Sequence, residues 1–394
     1  MDLWSRFTRT SKGLEEQESS SPSQSEPTAK ISSIFIYPIK SCRGISVSKA
    51  PLTPTGFKWD RNWLVVNSRG RAYTQRVEPK LALVEVELPT EAFDEGFDIK
   101  KDSFMVLKAP GMQPLNICLS KPHEVADGVS VWEWNGSAWD EGAEASQWFS
   151  DYLGKPSRLV RFNNVINEFL NAIQNIVHVD KNDFPKIPVL YSKLNYVPLL
   201  NFPNTDSQVR PVDPDYAKGH QIMFSDCFPF LLASQESLDA VNQHLEDPVP
   251  INRFRPNCCR IKWTINHISH NQDSGGLWCS ILVEGCEPFS EDLWTEIKIS
   301  SFSFLGVKLC SRCKVPSINQ VTAISEPEPN QTLMKIRSGK VLRPKGKDQN
   351  KTYFGQNMVW NWRDCYAKRN GNVLNVGDPV YVMKKVTSAA EAAA

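Results

Sequence analysis

The sequence predicts a mixed, β-rich α+β fold, built from an antiparallel barrel-like first part and a second β-rich part with flanking helices. Three observations carry that expectation. Short runs rich in β-branched and aromatic residues recur between turn residues, the texture of an antiparallel sheet or barrel. Two stretches, Ala143–Leu153 and the run after Ser234, space their apolar residues as helices do. The 394 residues, 41% hydrophobic and 23% charged, suit a soluble chain of two or three domains with a sizeable core.

The elements follow in chain order. Lys12 to Thr28, rich in Ser, Glu, Gln and Pro, cannot bury enough apolar surface to order, so residues 1–30 read as a tail. Met1 to Lys12 is faintly like a transit peptide, but Asp2 and the shortness of the stretch argue against one. Order is expected from Ile31. Ile31–Tyr37 reads as a strand ended by Pro38, and a basic, hydroxyl-bearing turn follows with Lys40, Ser41 and Arg43. Trp63–Asn67, Leu81–Leu88, Phe104–Lys108 and Val129–Trp134 read as further strands. Ala145, Trp148, Phe149 and Tyr152 make one helical face, stopped by Gly154 and Pro156. Ser234 is placed to cap a helix carrying Leu238, Val241 and Leu245. Ile281–Glu284, Leu293–Ile299, Phe302–Leu309 and Pro379–Val386 read as strands, Lys335–Lys351 as a basic loop, and 388–394 as a disordered Ala-rich tail. No run of about 18 apolar residues could span a bilayer.

A net charge of +1 gives no general electrostatic case for nucleic acid. Ten scattered cysteines without a secretory signal point to a reducing compartment rather than a disulfide scaffold. The chemistry concentrates in Lys308-Leu309-Cys310-Ser311-Arg312-Cys313, where a strand ends in a Cys-x-x-Cys. A thiol ligates or attacks as thiolate, and Arg312 and Lys314 flank Cys313 with the cations that favour that form. Four readings stay open on these residues: two inert reduced cysteines, a zinc site completed from Cys258, Cys259, His267, His270 and Cys279, a thioredoxin-type pair, and a soft metal held by one thiolate.

Five segments in order carry a resemblance: Tyr37-Pro38-Ile39-Lys40-Ser41-Cys42-Arg43-Gly44, Asp60-Arg61-Asn62-Trp63, Phe254-Arg255-Pro256-Asn257, Cys310-Ser311-Arg312-Cys313 and Phe354-Gly355-Gln356. Together they resemble the MOSC proteins with an N-terminal β-barrel domain, and within them the mitochondrial amidoxime-reducing components in their plant form. The resemblance implies an N-terminal barrel domain over 31–160 and a MOSC barrel domain with flanking helices over 205–387. It implies a molybdenum cofactor (Mo-molybdopterin) with Cys313 as the protein's ligand to the metal. It carries the anchoring role over to Lys40, Ser41, Arg61, Arg255, Asn257, Ser311 and Arg312, with Gln356 and Asp226 as further candidates. Guanidinium forks, an ammonium and hydroxyls suit a phosphate. The implied activity is reduction of N-hydroxylated, amidoxime-type compounds. The chain shows neither a ferredoxin cluster spacing nor a Gly-x-Gly-x-x-Gly, so electrons would come from outside, and the resemblance implies a cytochrome b5 and its NADH-dependent reductase as donors. The implied compartment is the mitochondrion, with the cytoplasm as the alternative.

The non-catalytic alternative is a cofactor-carrying module like the MOSC domain of molybdenum cofactor sulfurases. After Cys313 this chain has Pro316-Ser317-Ile318-Asn319-Gln320 where animal members carry Thr-Thr-Val-Asp-Pro, a departure that bears on substrate preference. Residues 164–204 and 258–280 lack a clean period and read as insertions relative to the family, as retained introns or gene-prediction errors would give, because the pattern resumes after each.

Overall fold

The computed structural model describes residues 26–163, 210–254, 280–362 and 371–392. The strands of the first part are β1 (Ala29–Ile36), β2 (Ile45–Val47), β3 (Lys49–Thr53), β4 (Gly56–Phe57), β5 (Trp63–Asn67), β6 (Glu85–Glu87), β7 (Phe104–Lys108), β8 (Leu115–Cys118), β9 (Glu124–Val131) and β10 (Trp134–Asp140). Helix α1 (Ala143–Leu153) and β11 (Ser157–Phe162) follow. The second part holds α2 (Pro214–Ala217), β12 (Phe230–Ser234), α3 (Gln235–Asn242), β13 (Ile281–Glu284), β14 (Trp294–Ile299) and β15 (Phe302–Arg312). It ends with α4 (Asn330–Ile336), α5 (Gly339–Leu342), β16 (Thr352–Trp360), β17 (Val373–Asn375) and β18 (Pro379–Lys385).

Among the described residues seven strands close a barrel in the order β1-β13-β12-β16-β15-β14-β18 and back to β1. Closure leaves no edge to protect. The first strand of the chain completes the barrel, pairing antiparallel with β13 on one side and β18 on the other. Ser280 donates its N–H to Leu231 O and accepts from Phe35 N–H, so the barrel strand is in place where the described chain resumes. A four-stranded sheet, β5-β11-β10-β9, and two three-stranded sheets, β6-β7-β8 and β17-β3-β4, complete the β structure described.

The sequence explains why these segments pack as they do. All nine residues of β16 are buried, because β12 and β15 flank it and both its faces are covered. The core centres on Phe57, Phe230 and Phe304, whose rings meet edge to face at 4.9 and 5.5 Å. Such pairs add about 1 kcal/mol to the area each ring buries. Gly306 lies on β15 where a side chain has no room: a Cβ would sit 1.9 Å from Trp294 O. Helix α1 stops at Gly154, which takes the left-handed conformation at φ 70°.

Several expectations are corrected in detail. Leu81–Leu88 begins as a 3₁₀ turn, Pro79–Leu83, with Pro79 at its first position, and only Glu85–Glu87 pairs. Val129–Trp134 is not one strand but the tip of the β9–β10 hairpin, with Trp132 at φ 57°. Lys335–Lys351 is not simply a loop, since it carries the end of α4 and all of α5. Strands β2, β3, β4, β8, β11, β12, β16 and β17 were not foreseen. The Ala-rich end, expected to be disordered, is described to Ala392, which is buried against Leu309 and Tyr353. The insertion expectations and the zinc set of Cys258, Cys259, His267, His270 and Cys279 lie outside the described residues, apart from Ser280. No described helix is long and apolar enough to cross a membrane.

Candidate functional site

The β15–β16 pair presents the cysteine motif. Its register shifts between Leu309 and Ser311, a bulge that breaks strand alternation. As a result Cys310, Ser311 and Arg312 are all buried, whereas Cys313, the first residue past the strand, is half-buried. The two thiols therefore have different surroundings. Cys310 lies in a cluster with Leu231, Phe254 and Phe354 and accepts from Arg312 Nη1 at 3.4 Å. Cys313 Sγ accepts the Val315 N–H at 3.2 Å, and its carbonyl accepts from Asn330 Nδ2 at 2.8 Å. A backbone N–H aimed at sulfur favours its charged form. The segment after Cys313 makes only a 3₁₀ turn, Val315–Ser317, so the helix that a thioredoxin-type pair should open is absent there. Among the described residues no group of three or more His, Cys, Asp or Glu side chains could hold a metal.

A second group collects the buried cations. The turn after β1 puts Ser41 at φ 72°, and the turn before β5 puts Arg61 at φ 52°. Backbone bonds tie the segments together: Lys40 N to Trp63 O at 2.8 Å, Arg61 N to Tyr37 O at 2.8 Å, and Phe224 N to Arg61 O at 3.2 Å. Lys40 Nζ donates to Phe224 O at 2.9 Å and pairs with Asp226, whose Oδ1 also accepts from Trp132 Nε1 at 2.8 Å. Arg61 pairs with Asp60, which accepts the Tyr37 N–H at 2.9 Å. Arg210 donates to the carbonyls of Met223 at 3.0 Å, Ser225, and Asp226 at 2.8 Å. The Asp60–Arg61 pair is buried, at 2% and 1% exposure, so it is not the surface ion pair that adjacency alone would suggest.

Among the described residues the group holds three buried cations, Lys40, Arg61 and Arg210, and two buried carboxylates, Asp60 and Asp226, with Glu133 also acting on Arg210. Burial, reinforced by the Arg210 and Arg61 charges and opposed by Asp226, pushes the Lys40 ammonium down to about 8. Burial likewise lowers Arg210, and it raises Asp60 against the pull of Arg61. Burying a cation costs less where an anion pairs with it.

Hydrogen bonds join the two groups. Gln75 Nε2 donates to Ser41 O at 2.7 Å and to Gln320 Oε1 at 3.2 Å, and Gln320 Nε2 donates to Ile318 O at 2.8 Å. Arg43 Nη2 donates to Gln320 O at 3.1 Å. On the far side Arg253 holds the same loop through Pro316 O at 2.8 Å, Glu328 O at 2.9 Å and Glu326 at 2.8 Å. Of the residues foreseen, Lys40, Arg61 and Asp226 meet in one cluster. Ser311, Arg312 and Cys313 stand together at the end of β15, and Ser41 reaches their loop through Gln75. Gln356 lies opposite Leu309 on β16 and donates to Trp294 O at 3.4 Å. Arg255 and Asn257 lie outside the described residues, which end at Phe254, stacked on Phe354 at 4.1 Å and facing the Arg312 guanidinium at 5.8 Å. Arg210, Trp132, Gln75, Gln320 and Asn330 were missed. Only Arg210 had a sequence signal, since it opens the Arg210-Pro211-Val212-Asp213-Pro214 run.

Comparison with known proteins gives two family matches. Residues 28–156 match the MOSC N-terminal beta barrel domain, and residues 219–381 match the MOSC domain. Among curated proteins the chain is 27% identical over 359 residues to mitochondrial amidoxime-reducing component 1 of Mus musculus, covering 90% of this chain and 82% of that one. It is 29% identical over 363 residues to mitochondrial amidoxime reducing component 2 of Bos taurus, covering 90% and 83%. It is also 26% identical over 314 residues to molybdenum cofactor sulfurase of Danio rerio, covering 79% of this chain but 31% of that protein.

Proposed function

The chain belongs to the MOSC proteins, with an N-terminal MOSC β-barrel domain followed by a MOSC domain, and from that premise we propose that it is a molybdenum-cofactor-dependent reductase of N-hydroxylated, amidoxime-type compounds. The observation that carries the reading is the half-buried Cys313 sulfur at the end of a barrel strand, held by a backbone N–H at 3.2 Å. A soft thiolate suits a sulfur-rich metal centre.

The residues present fit the cofactor's demands. Cys313 is the metal ligand. The cation-rich cluster at Lys40 and Arg61 suits the phosphate of the pterin, and the anchoring role that the resemblance gives to Ser41, Ser311, Arg312, Arg255 and Asn257 goes with it. Asp226 and Asp60 hold the Lys40 and Arg61 side chains in place, and a phosphate would help to keep the proton on Lys40 Nζ. When bound, the cofactor supplies two-electron redox chemistry at the metal. The overall change is balanced: the N–O bond of an N-hydroxyl compound breaks, two electrons and two protons enter, and amine and water leave. The chain supplies position and charge, while the electrons come from a cytochrome b5 fed by its NADH-dependent reductase. A mitochondrial location follows the names of the relatives.

The test is purification with molybdenum analysis, followed by benzamidoxime reduction with a chemically reduced dye. Stoichiometric molybdenum with turnover supports the reading. Molybdenum without turnover would favour a cofactor-carrying module, the reading to which the sulfurase match lends weight. Neither molybdenum nor turnover would refute both.

A further inference from the structure

We propose that the basic face formed by α4, α5 and the turn after them is the docking surface for an acidic electron-carrier protein. The proposal rests on the reductase reading and adds where its electrons enter. The whole chain has a net charge of +1, yet residues 335–351 hold seven Lys or Arg and one Asp. Arg337 turns inward to a buried pair with Asp292. The exposed cations, Lys340, Lys345 and Lys347 among them, face solvent on the same segment.

Three features fit a protein partner better than another polyanion. Met334 and Val341, 46% and 54% exposed, add apolar surface to the same segment as the cations. Residues 330–351 contain no aromatic side chain on which bases could stack or with which a bilayer interface could be entered. The surface is also pre-organised: Gln349 Nε2 donates to Arg343 O, Pro344 O and Gly346 O at 3.2, 3.0 and 2.7 Å. Gly339 packs so closely that a Cβ would lie 2.1 Å from Asp348 O. A fixed constellation loses less entropy on docking than a loose tail.

The position is apt for delivering electrons. Asn330, which opens α4, donates to the carbonyl of Cys313 at 2.8 Å. Helix α4, part of the proposed face, is thus tied directly to the backbone of Cys313. Two successive one-electron transfers from the docked carrier, with two protons from solvent, balance the removal of one oxygen as water.

The test uses the full chain with its cofactor and, as probe, an acidic haem protein of the cytochrome b5 type, with Kd measured over a salt series. The triple variant K340E/K345E/K347E should bind at least about tenfold more weakly and with a flatter salt dependence. Its unfolding midpoint, molybdenum content and dye-driven benzamidoxime turnover should be unchanged. If the triple variant does not fold, K345Q/K347Q should still weaken binding about threefold. Unchanged carrier affinity would overturn the proposal. So would a face whose loss abolishes binding to phosphatidylserine vesicles or duplex DNA while the carrier binds as before. Weakened carrier binding in a protein that shows no dye-driven turnover would keep the docking face and refute only the reductase reading.

Discussion

Replacing Asp226 by Asn tests whether Lys40 is a charge held under tension. The substitution keeps an acceptor for Trp132 Nε1 but removes the carboxylate that pairs with a lysine of 1% exposure. Breaking a buried pair by deleting one partner costs about 3–5 kcal/mol when the remaining charge has no escape. Lys40 has one, because its ammonium already titrates at about 8. Shedding the proton at pH 7 costs about 1.4 kcal/mol, one pKa unit. The loss should therefore saturate near about 2 kcal/mol at pH 7 rather than reach the full penalty. Above the Lys40 pKa the wild-type lysine is neutral too, so the cost should shrink further. The sign follows from linkage: with the folded pKa below the unfolded value of 10.5, the unfolded state binds more protons between about 8 and 10.5. The lysine's contribution therefore favours folding as pH rises through that window. Urea titrations of Asp226→Asn and wild type at about pH 6.5 and pH 9.5 measure the difference. An equal loss at both pH values would refute the reasoning, because the penalty would then not depend on the Lys40 charge. Adding Lys40→Met should recover most of the loss as coupling energy.

Further outcomes follow from other sites. Phosphate esters should stabilise the protein more at about pH 7 than at about pH 9.5, since Lys40 carries its proton only below about 8, and thermal shifts read it; equal shifts would contradict the anion reading. Burial, aided by the Asp292 charge, raises Glu291 from 4.5 to about 7. A raised carboxyl contributes stability below its unfolded pKa and loses it as pH rises through the folded one, so Glu291→Gln should flatten the stability profile between 4.5 and 7, visible in denaturant midpoints. Gly306→Ala should cost about 3 kcal/mol or prevent folding, because its Cβ collides with Trp294 O at 1.9 Å; a variant of native stability would show that β15 can shift there. Arg210→Met should cost about 3 kcal/mol by leaving the Met223, Ser225 and Asp226 carbonyls without their donor, read by urea unfolding.

Much of the β structure was legible because its strands carry strong local signals. Trp63–Asn67, Phe104–Lys108 and Ile281–Glu284 appear with the predicted bounds, and α1 begins and ends as its apolar face and Gly154 dictate. Strand β15 runs to Arg312, three residues past the expected end at Leu309, and Cys313 is the first residue beyond it. The misses share a cause. Phe230–Ser234 is short and wholly buried, and a continuous apolar run has no period from which to infer a strand. The bulge at Cys310 arises from pairing with β16 and leaves no trace in local spacing. The closing role of β1 joins residues some 250 positions apart, beyond the reach of any window. At the site, charged residues in recognisable segments could be found. Gln75, Gln320 and Trp132 matter only through partners distant in sequence, and neutral side chains in turns give no signal of their own.

X-ray absorption at the molybdenum edge, on wild type and Cys313→Ser purified with their cofactor, tests the central claim most directly. The account predicts one sulfur neighbour of the metal that disappears in the variant while the pterin remains. A sulfur shell identical in both proteins would contradict it.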